Sequence, residues 1–308
     1  MSRHDCHEPV CDDHADELIE HVIEGRERDI GAFSVRRLLP SARRRMVGPY
    51  IFFDEMGPAT LEVGRGMDVR PHPHIGIATV TYLFEGEIRH MDSLGNDLSI
   101  RPGAINWMTA GRGIVHSERT PTHLRGRPMP VHGIQLWVAL PTEAEEVAPA
   151  FRHYPATEIP ETRVRDVDLR VLIGKAYGVE SPVQTLPIMF YVHARLPAGA
   201  ALELLDGYSE RAAFVTKGSF RCCGSTFGRG QMVVFAPGAR PSLEATEDTE
   251  LMLLGGEPVG ERHIWWNFVS SSSERLERAK TEWAMGYGAT ESFPKVPGDE
   301  EEFIPLPE

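Results

Sequence analysis

The fold is decided by the stretch Pro71-His-Pro-His-Ile-Gly-Ile-Ala-Thr-Val-Thr-Tyr-Leu-Phe-Glu-Gly86. Its second half is rich in β-branched and aromatic residues and ends at a glycine, which is typical of a strand followed by a turn. His72 and His74 are two residues apart, and a strand points such residues to the same face. The stretch therefore predicts a pair of strands, the first of which carries two imidazoles on one face.

Short apolar runs of the same kind recur on both sides of this stretch. Between Phe33 and Leu140 they are separated by Gly, Pro and Asp, which favour turns. The clearest runs are Tyr50–Phe53, Ile77–Phe84, Leu98–Ile100, Ile105–Met108 and Gly133–Leu140. Many short strands with frequent turns indicate an all-β sandwich or barrel.

A second β-rich block, from Val171 to Gly256, repeats features of the first. An apolar run ends at Gly86 in the first block and at Gly218 in the second, and each block has a Pro-Gly turn, at Pro102 and at Pro237. Such internal similarity suggests a duplicated barrel. The second block has no His-x-His in the equivalent place, so we expect a metal site in the first barrel only.

The two ends of the chain differ in composition from its body. Residues 1–30 carry ten acidic and three basic side chains, and residues 291–308 carry six and one, which accounts for −12 of the formal net charge of −13. We expect residues 1–30 to be a partly disordered extension with a short helix around Asp16–Glu24. Residues 291–308 read as a Pro-rich tail that wanders over the surface or is disordered. Between the body and this tail, Ser271-Ser-Ser-Glu274 is a capping box that predicts a C-terminal helix.

The composition argues against several classes of protein. An apolar fraction of 41% and a charged fraction of 25% are ordinary for a soluble globular protein. We find no apolar run of about eighteen residues and no basic segment followed by an apolar one near the N-terminus, so we expect a cytoplasmic protein without a membrane span. The nearly neutral body gives no support to direct binding of nucleic acid. One basic cluster is interpreted as a solvated face or as partners of the acidic ends, in preference to a binding patch: Arg36, Arg37, Arg43, Arg44 and Arg45.

The four cysteines do not form a disulfide framework. Cys222 and Cys223 are adjacent, while Cys6 and Cys11 lie in the extension, so we expect reduced thiols. The extension also has a group of soft-metal ligands whose spacing matches no standard zinc pattern, interpreted as a terminus to which metal ions adhere: His4, Cys6, His7, Cys11 and His14.

A second pair of candidate ligands follows some forty residues after the first, in Met108-Thr-Ala-Gly-Arg-Gly-Ile-Val-His116-Ser-Glu118. His116 and Glu118 again lie two apart, so a second strand can aim both at the same place as His72 and His74. Three imidazoles and one carboxylate suit a borderline divalent ion and leave coordination positions open for substrate. The pattern is therefore that of a catalytic metal site and not of a closed structural one.

These motifs resemble the pirin family of the cupin superfamily. Gly66 to His74 and the Pro102-Gly103 turn resemble cupin motifs, but Ala78 and Thr79 stand where a cupin has its acidic ligand, and Asn106 stands where it has a histidine. In pirins, a His-x-Glu pair completes the site in their place. Further stretches resemble the same family: Phe52-Phe-Asp-Glu-Met-Gly-Pro58, His90-Met-Asp-Ser93 and Gln135-Leu-Trp-Val-Ala-Leu-Pro141.

The resemblance implies an all-β bicupin, with two antiparallel β-barrels of the jelly-roll type and a C-terminal helix. We expect the metal-bearing barrel at residues 31–155 and a barrel without metal ligands at 156–290, which also contains the helix. The implied metal ligands are His72, His74, His116 and Glu118, with one Fe(II) as the first choice and Ni, Cu, Mn or Zn as alternatives.

Glu118 has two candidate roles that the residues alone leave open. It can be the fourth ligand, or it can leave the metal and accept a substrate hydroxyl proton as a catalytic general base. Asp54 is interpreted as a turn residue, with a role behind the metal ligands as the alternative. For His90, His123 and His132, supporting or surface roles are favoured over metal binding.

Two functions of different classes follow. The pirin resemblance implies a metal-dependent dioxygenase that cleaves flavonols of the quercetin type with dioxygen. The alternative is a metal-binding regulatory protein that modulates a partner protein without turnover. We lean towards the enzyme, and we expect a monomer that acts on a small aromatic substrate.

Overall fold

The computed structural model describes residues 18–29, 34–64 and 66–307. Within these residues the chain forms two seven-stranded and two four-stranded antiparallel sheets, with strands numbered β1 to β26 in chain order. One sheet of each size makes a barrel, which confirms the predicted all-β bicupin. No helix within the described ranges is both long and apolar enough to cross a membrane.

The first barrel is formed by strands from the first half of the chain. Its seven-stranded sheet has the order β12-β9-β6-β11-β4-β3-β2 and its four-stranded sheet the order β5-β10-β7-β8. The strands are β2 Arg26–Asp29, β3 Ser34–Leu39, β4 Tyr50–Leu61, β5 Asp68–His74, β6 Ile77–Glu85, β7 Ile88–Asp92, β8 Asp97–Ile100, β9 Ile105–Thr109, β10 Ile114–Arg119, β11 Met129–Ala139 and β12 Ala150–Tyr154.

The second barrel has sheets of the same two sizes. Their orders are β1-β22-β19-β24-β17-β14-β13 and β18-β23-β20-β21. The strands are β1 Ile19–Glu24, β13 Glu161–Val164, β14 Val167–Ile173, β17 Met189–Leu196, β18 Ala201–Glu203, β19 Glu210–Lys217, β20 Ser219–Cys222, β21 Ser225–Gly228, β22 Gln231–Phe235, β23 Ser242–Ala245 and β24 Thr249–Gly256. The remaining elements are the hairpins β15 Lys175–Ala176 with β16 Val179–Glu180 and β25 His263–Trp265 with β26 Phe268–Ser270, the single-turn 3-10 helices Thr122–Leu124 and Thr142–Ala144, and helix α1 Ser273–Ala284.

A buried apolar layer joins the two barrels. Phe53 of the first barrel meets Phe214 of the second edge to face, with ring centroids 4.9 Å apart, and neither residue is exposed. The hydroxyl of Tyr50 crosses the same layer and donates to the carbonyl of Phe190 at 2.7 Å. Because fully buried aromatic residues contribute strongly to packing, this layer fixes the barrels against each other.

The helix predicted around Asp16–Glu24 is wrong for residues 19–24, because Ile19–Glu24 is strand β1. It pairs with β22 and adds an edge to the second barrel, while β2 pairs with β3 in the first. β-Branched Ile19, Val22 and Ile23 favour a strand, and the exposed edge of β22 offers a backbone partner that a local pattern does not reveal. Residues 19–24 and 26–29 of the extension that was expected to be partly disordered are therefore strands, and its residues 1–17 and 30 lie outside the described ranges.

The prediction of a loose or disordered C-terminal tail is also wrong, because residues 291–307 pack onto the fold. Phe293 and Val296 are buried with Trp283 of the C-terminal helix, in a cluster that Phe303 and Leu306 border. These apolar residues outweigh the Pro and Glu content that suggested disorder. The helix itself begins as predicted, although Ser272 is the residue that caps it, accepting from the amide of Arg275 at 3.3 Å.

Candidate metal centre

Three of the four predicted ligands meet at one place in the first barrel. His72 lies directly opposite His116 in the pairing of β5 with β10, and His74 follows on the same face of β5. Ring centroids are 4.3 Å apart for His72 and His116, 5.0 Å for His72 and His74, and 5.1 Å for His74 and His116. One nitrogen from each ring lies within 4.8 Å of the others, and all three residues are buried. The three could together hold one metal ion.

Hydrogen bonds fix which nitrogen two of the rings present. Nδ1–H of His72 donates to the carbonyl of Arg70 at 2.9 Å, and Nδ1–H of His74 donates to the carbonyl of Asn267 at 3.2 Å. With the proton on Nδ1, the lone pair lies on Nε2. This is how backbone carbonyls commonly orient histidines that bind metals.

His116 supplies a direct test of whether the site fits a metal. Within the described part of the chain, neither Nδ1 nor Nε2 of this buried ring has a hydrogen-bond partner. Leaving a polar atom buried without a partner costs about 1–3 kcal/mol. A metal ion would give one nitrogen a partner, so the donor set fits a divalent ion that prefers imidazole.

Burial also keeps these imidazoles neutral, as metal ligands must be. Burial lowers the pKa of His72 to about 4, and the nearby His90 adds to the effect. Burial and the neighbouring histidines lower the pKa of His74 and of His116 well below the ordinary value.

Glu118 lies in the same cavity but outside the group of three. Its carboxylate is not among the atoms that lie within 4.8 Å of one another. Burial raises the pKa of Glu118, an effect that the nearby His90 and Thr81 side chains oppose. The Thr81 hydroxyl also reaches Gln135, to which it donates at 2.9 Å. A buried carboxylate with a raised pKa can accept a proton near the metal centre.

A hairpin from beyond the second barrel completes the site, and sequence reasoning missed it. The turn between β25 and β26 carries Trp266 and Asn267, which line the cavity beside the imidazoles. Trp266 has φ of +52°, a left-handed conformation that is rare and strained for a bulky side chain. The turn places the Asn267 carbonyl against His74. No local pattern near His72 could have indicated this partner.

The remaining walls of the cavity are aromatic and charged. Phe52 stacks on Trp137, with centroids 4.1 Å apart, and the guanidinium of Arg37 lies 4.4 Å from the Phe52 ring. Arg37 also pairs bidentately with Asp54, at 2.8 and 2.7 Å. Asp54 is therefore a buried residue of strand β4 and not the turn residue that was favoured. The alternation of Phe52, Asp54 and Met56 along one strand was the signal that could have identified this wall.

The other histidines have the supporting or surface roles expected for them. His90 stacks on Phe151, its ring is 5.3 Å from that of His116, and its Nε2 is 3.1 Å from Asp92. His132 lies against Glu55 and His123 is largely exposed near Glu87.

The basic cluster is partly resolved into ion pairs. Arg36 pairs with Glu55, Arg37 with Asp54, and Arg44 with Glu20 and Glu210. The arginine cluster therefore does not form a continuous basic surface for binding. The predicted soft-metal group of the extension, His4 to His14, lies outside the described residues.

Comparison with known proteins agrees with the fold. The sequence profile of the Pirin family matches residues 32–138, and that of the Pirin C-terminal cupin domain matches residues 191–288. A pirin-like protein of Caulobacter vibrioides is 47% identical over 295 residues, which cover 94% of this chain and 100% of that protein. A Pseudomonas aeruginosa protein, provisionally named a quercetin 2,3-dioxygenase, is 36% identical over 90% of this chain and 87% of its own length.

A solved structure supports the same relationship. The crystal structure of quercetin 2,3-dioxygenase from Acinetobacter baumannii matches with a TM-score of 0.87 and 31% sequence identity, covering 96% of both chains. Two matched family profiles, extensive identity to a pirin-like relative and this similarity of fold lead to one conclusion. This chain belongs to the pirin family.

Proposed function

We propose that this protein is a metal-dependent dioxygenase that cleaves flavonols of the quercetin type. The observation that carries the proposal is the convergence of His72, His74 and His116 in a cavity with aromatic walls. The names of the Pseudomonas and Acinetobacter relatives support the choice of reaction and substrate. The three imidazoles would hold the ion, with Fe(II) as the first choice and Ni, Cu, Mn and Zn as alternatives.

Bound there, a divalent ion would supply a Lewis acid and, in the case of iron, redox chemistry towards dioxygen. The protein's own residues would do the rest. The stacked Phe52 and Trp137 and the indole of Trp266 offer flat apolar surfaces for a planar substrate. They would also exclude water from the reacting ring.

Glu118 would remove the proton of the substrate hydroxyl. Its raised pKa and its contact with Thr81 suit a group that takes up and returns a proton. Gln135 accepts a hydrogen bond from the Thr81 hydroxyl and would hold the Thr81 side chain in place. Service as a fourth ligand remains the other proposed role of Glu118, and the two roles predict different effects of substitution.

One observation favours a second candidate function, that of a metal-binding regulatory protein. The cavity volume is about 270 Å³, just below the range of roughly 300 to 1,000 Å³ that is usual for ligand pockets. A pocket too small for turnover would leave the metal to stabilise a surface that a partner protein recognises.

The two functions are separated by oxygen consumption and by loss of the flavonol absorption band, measured with iron-loaded protein and quercetin. We expect turnover that His72→Ala and Glu118→Ala abolish and that His123→Ala, at an exposed histidine outside the cavity, leaves intact. Turnover no higher than that of metal-stripped protein would contradict the enzyme function. Turnover that survives both site substitutions would contradict the site assignment.

A further inference from the structure

The wall of the metal cavity includes a residue from the far C-terminal end of the chain. Ile304 lines the cavity together with the three histidines. It lies beyond residue 288, where the match to the Pirin C-terminal cupin profile ends. The cavity is therefore partly shaped by a segment outside the residues that the two family profiles match.

Two backbone groups of Ile304 hold it in place. Its amide donates to the carbonyl of Pro71 at 2.8 Å, and its carbonyl accepts from Nε1 of Trp283 at 3.0 Å. Pro71 directly precedes His72. Ile304 is thus tied on one side to the strand that carries the candidate ligands and on the other to the C-terminal helix.

Side chains that precede Ile304 in the chain reinforce this attachment. Arg119 pairs bidentately with Asp299, at 2.8 and 2.9 Å, and donates to Glu302 at 2.8 Å. The pair with Asp299 is mostly shielded from solvent, so solvent screens it less than an exposed pair. Phe303 meets Trp283 edge to face, with centroids 5.5 Å apart. The segment is a packed wall and not a loose end.

A fixed wall sets a limit on the size of the ligand. The cavity of about 270 Å³ contains little spare space, compared with pockets that usually exceed roughly 300 Å³. We infer that Ile304 determines the upper size of the aromatic ligand that reaches the metal centre, restricting the site to compact planar molecules. The nature of that ligand rests on the proposed function, whereas the size limit rests on the geometry of the wall.

The test measures how fast chelators remove the metal from iron-loaded protein. 1,10-Phenanthroline is a planar three-ring chelator that must enter the cavity to attack the bound ion, whereas EDTA is bulky and highly charged and captures ions after they dissociate. We expect Ile304→Ala to accelerate removal by phenanthroline several-fold and Ile304→Trp to slow it, with the rate for EDTA unchanged. Leu306→Ala is the matched control, because Leu306 packs in the same segment but does not line the cavity.

A second variant addresses the attachment without touching Ile304. Asp299→Asn combined with Glu302→Gln removes the charged partners of Arg119. We expect this variant to accelerate the removal of metal by phenanthroline, as Ile304→Ala does. The inference would be overturned if Ile304→Ala accelerated metal removal by both chelators equally, or if it left the rate of removal by phenanthroline unchanged. Because no step requires catalysis, a failure to cleave flavonols would contradict the proposed function and leave the chelator result standing.

Discussion

His116 stands directly opposite His72 across the antiparallel strands β10 and β5, with the ring centroids 4.3 Å apart. The backbone ladder therefore sets the distance between the two imidazoles. Since a slip of one residue would turn a side chain to the other face, the register of this pair is essential to the site. A bulge follows at once, because the single residue Ser117 between His116 and Glu118 opposes the two residues Arg70 and Pro71 between His72 and Val69. Pro71 lies in this bulge, where a missing amide is tolerated.

Glu118→Gln separates the two roles proposed for Glu118. Because the carboxylate lies outside the group of three imidazoles, we expect the variant to keep its metal with an affinity reduced less than tenfold. Turnover should fall by about 10²- to 10⁴-fold, as is usual when a general base is lost. Metal titration and oxygen consumption measure the two effects. Loss of stoichiometric metal from Glu118→Gln would instead identify Glu118 as a ligand.

Glu145 makes a buried ion pair that stabilises the region around the C-terminal helix. Its carboxylate lies 2.7 Å from Nε of Arg262, and the side chains are 6% and 1% exposed. It also accepts from the hydroxyl of Ser270 and the amide of Ser271. We expect Glu145→Ala to lower the free energy of unfolding by about 3–5 kcal/mol, because it removes the carboxylate that balances the charge of the buried Arg262 guanidinium. Urea denaturation measures this loss.

Glu146 provides the matched control for that prediction. It is the next residue, it pairs with Arg275, and its side chain is 52% exposed. Glu146→Ala should cost less than about 1 kcal/mol. Equal losses for the two variants would show that the burial of Glu145 is not what makes its ion pair important.

His193 links the barrels in a way that predicts a dependence on pH. Its Nδ1 lies 3.0 Å from the hydroxyl of Tyr82 in the first barrel, and its Nε2 lies 3.2 Å from Glu250. Burial lowers the pKa of His193 below its ordinary value of 6.5, although Glu250 opposes the effect. Below pH 6.5 the unfolded chain therefore binds more protons at this position than the folded chain, so stability falls as the pH is lowered.

The variant His193→Asn lacks this titration. At pH 7.5 it should be less stable than the wild type because it loses these hydrogen bonds, and the difference in urea midpoint should shrink towards pH 5.5. His123→Asn, at an exposed position, is the control for the exchange of a histidine for an asparagine. A difference for His193→Asn that widens on acidification would mean that folding raises the pKa of His193.

The sequence was sufficient for the parts of the site that depend on strand periodicity. His72 and His74, like His116 and Glu118, are two residues apart, and the period of a strand is enough to predict a shared face. The repeated turns were enough to predict two barrels. These features are local, and short-range patterns report them well.

The parts that the sequence did not predict depend on contacts between distant segments. Ile19–Glu24 is a strand because β22 offers an edge, Asn267 reaches His74 across nearly two hundred residues, and Ile304 is attached at Pro71. The composition of the tail suggested disorder because Pro and Glu outnumber the few apolar residues that pack. Tertiary contacts overrode local propensity in each case.

The central claim is that His72, His74 and His116 hold one divalent metal ion. The most direct measurement is the metal content of the purified protein, determined by elemental mass spectrometry together with intact-protein mass. We predict one ion per chain in the wild type and in His90→Gln, and less than about a tenth of an ion in His72→Ala and His116→Ala. A full ion retained by His116→Ala, or a wild type that takes up none when reconstituted with iron, nickel, copper, manganese or zinc, would contradict the claim.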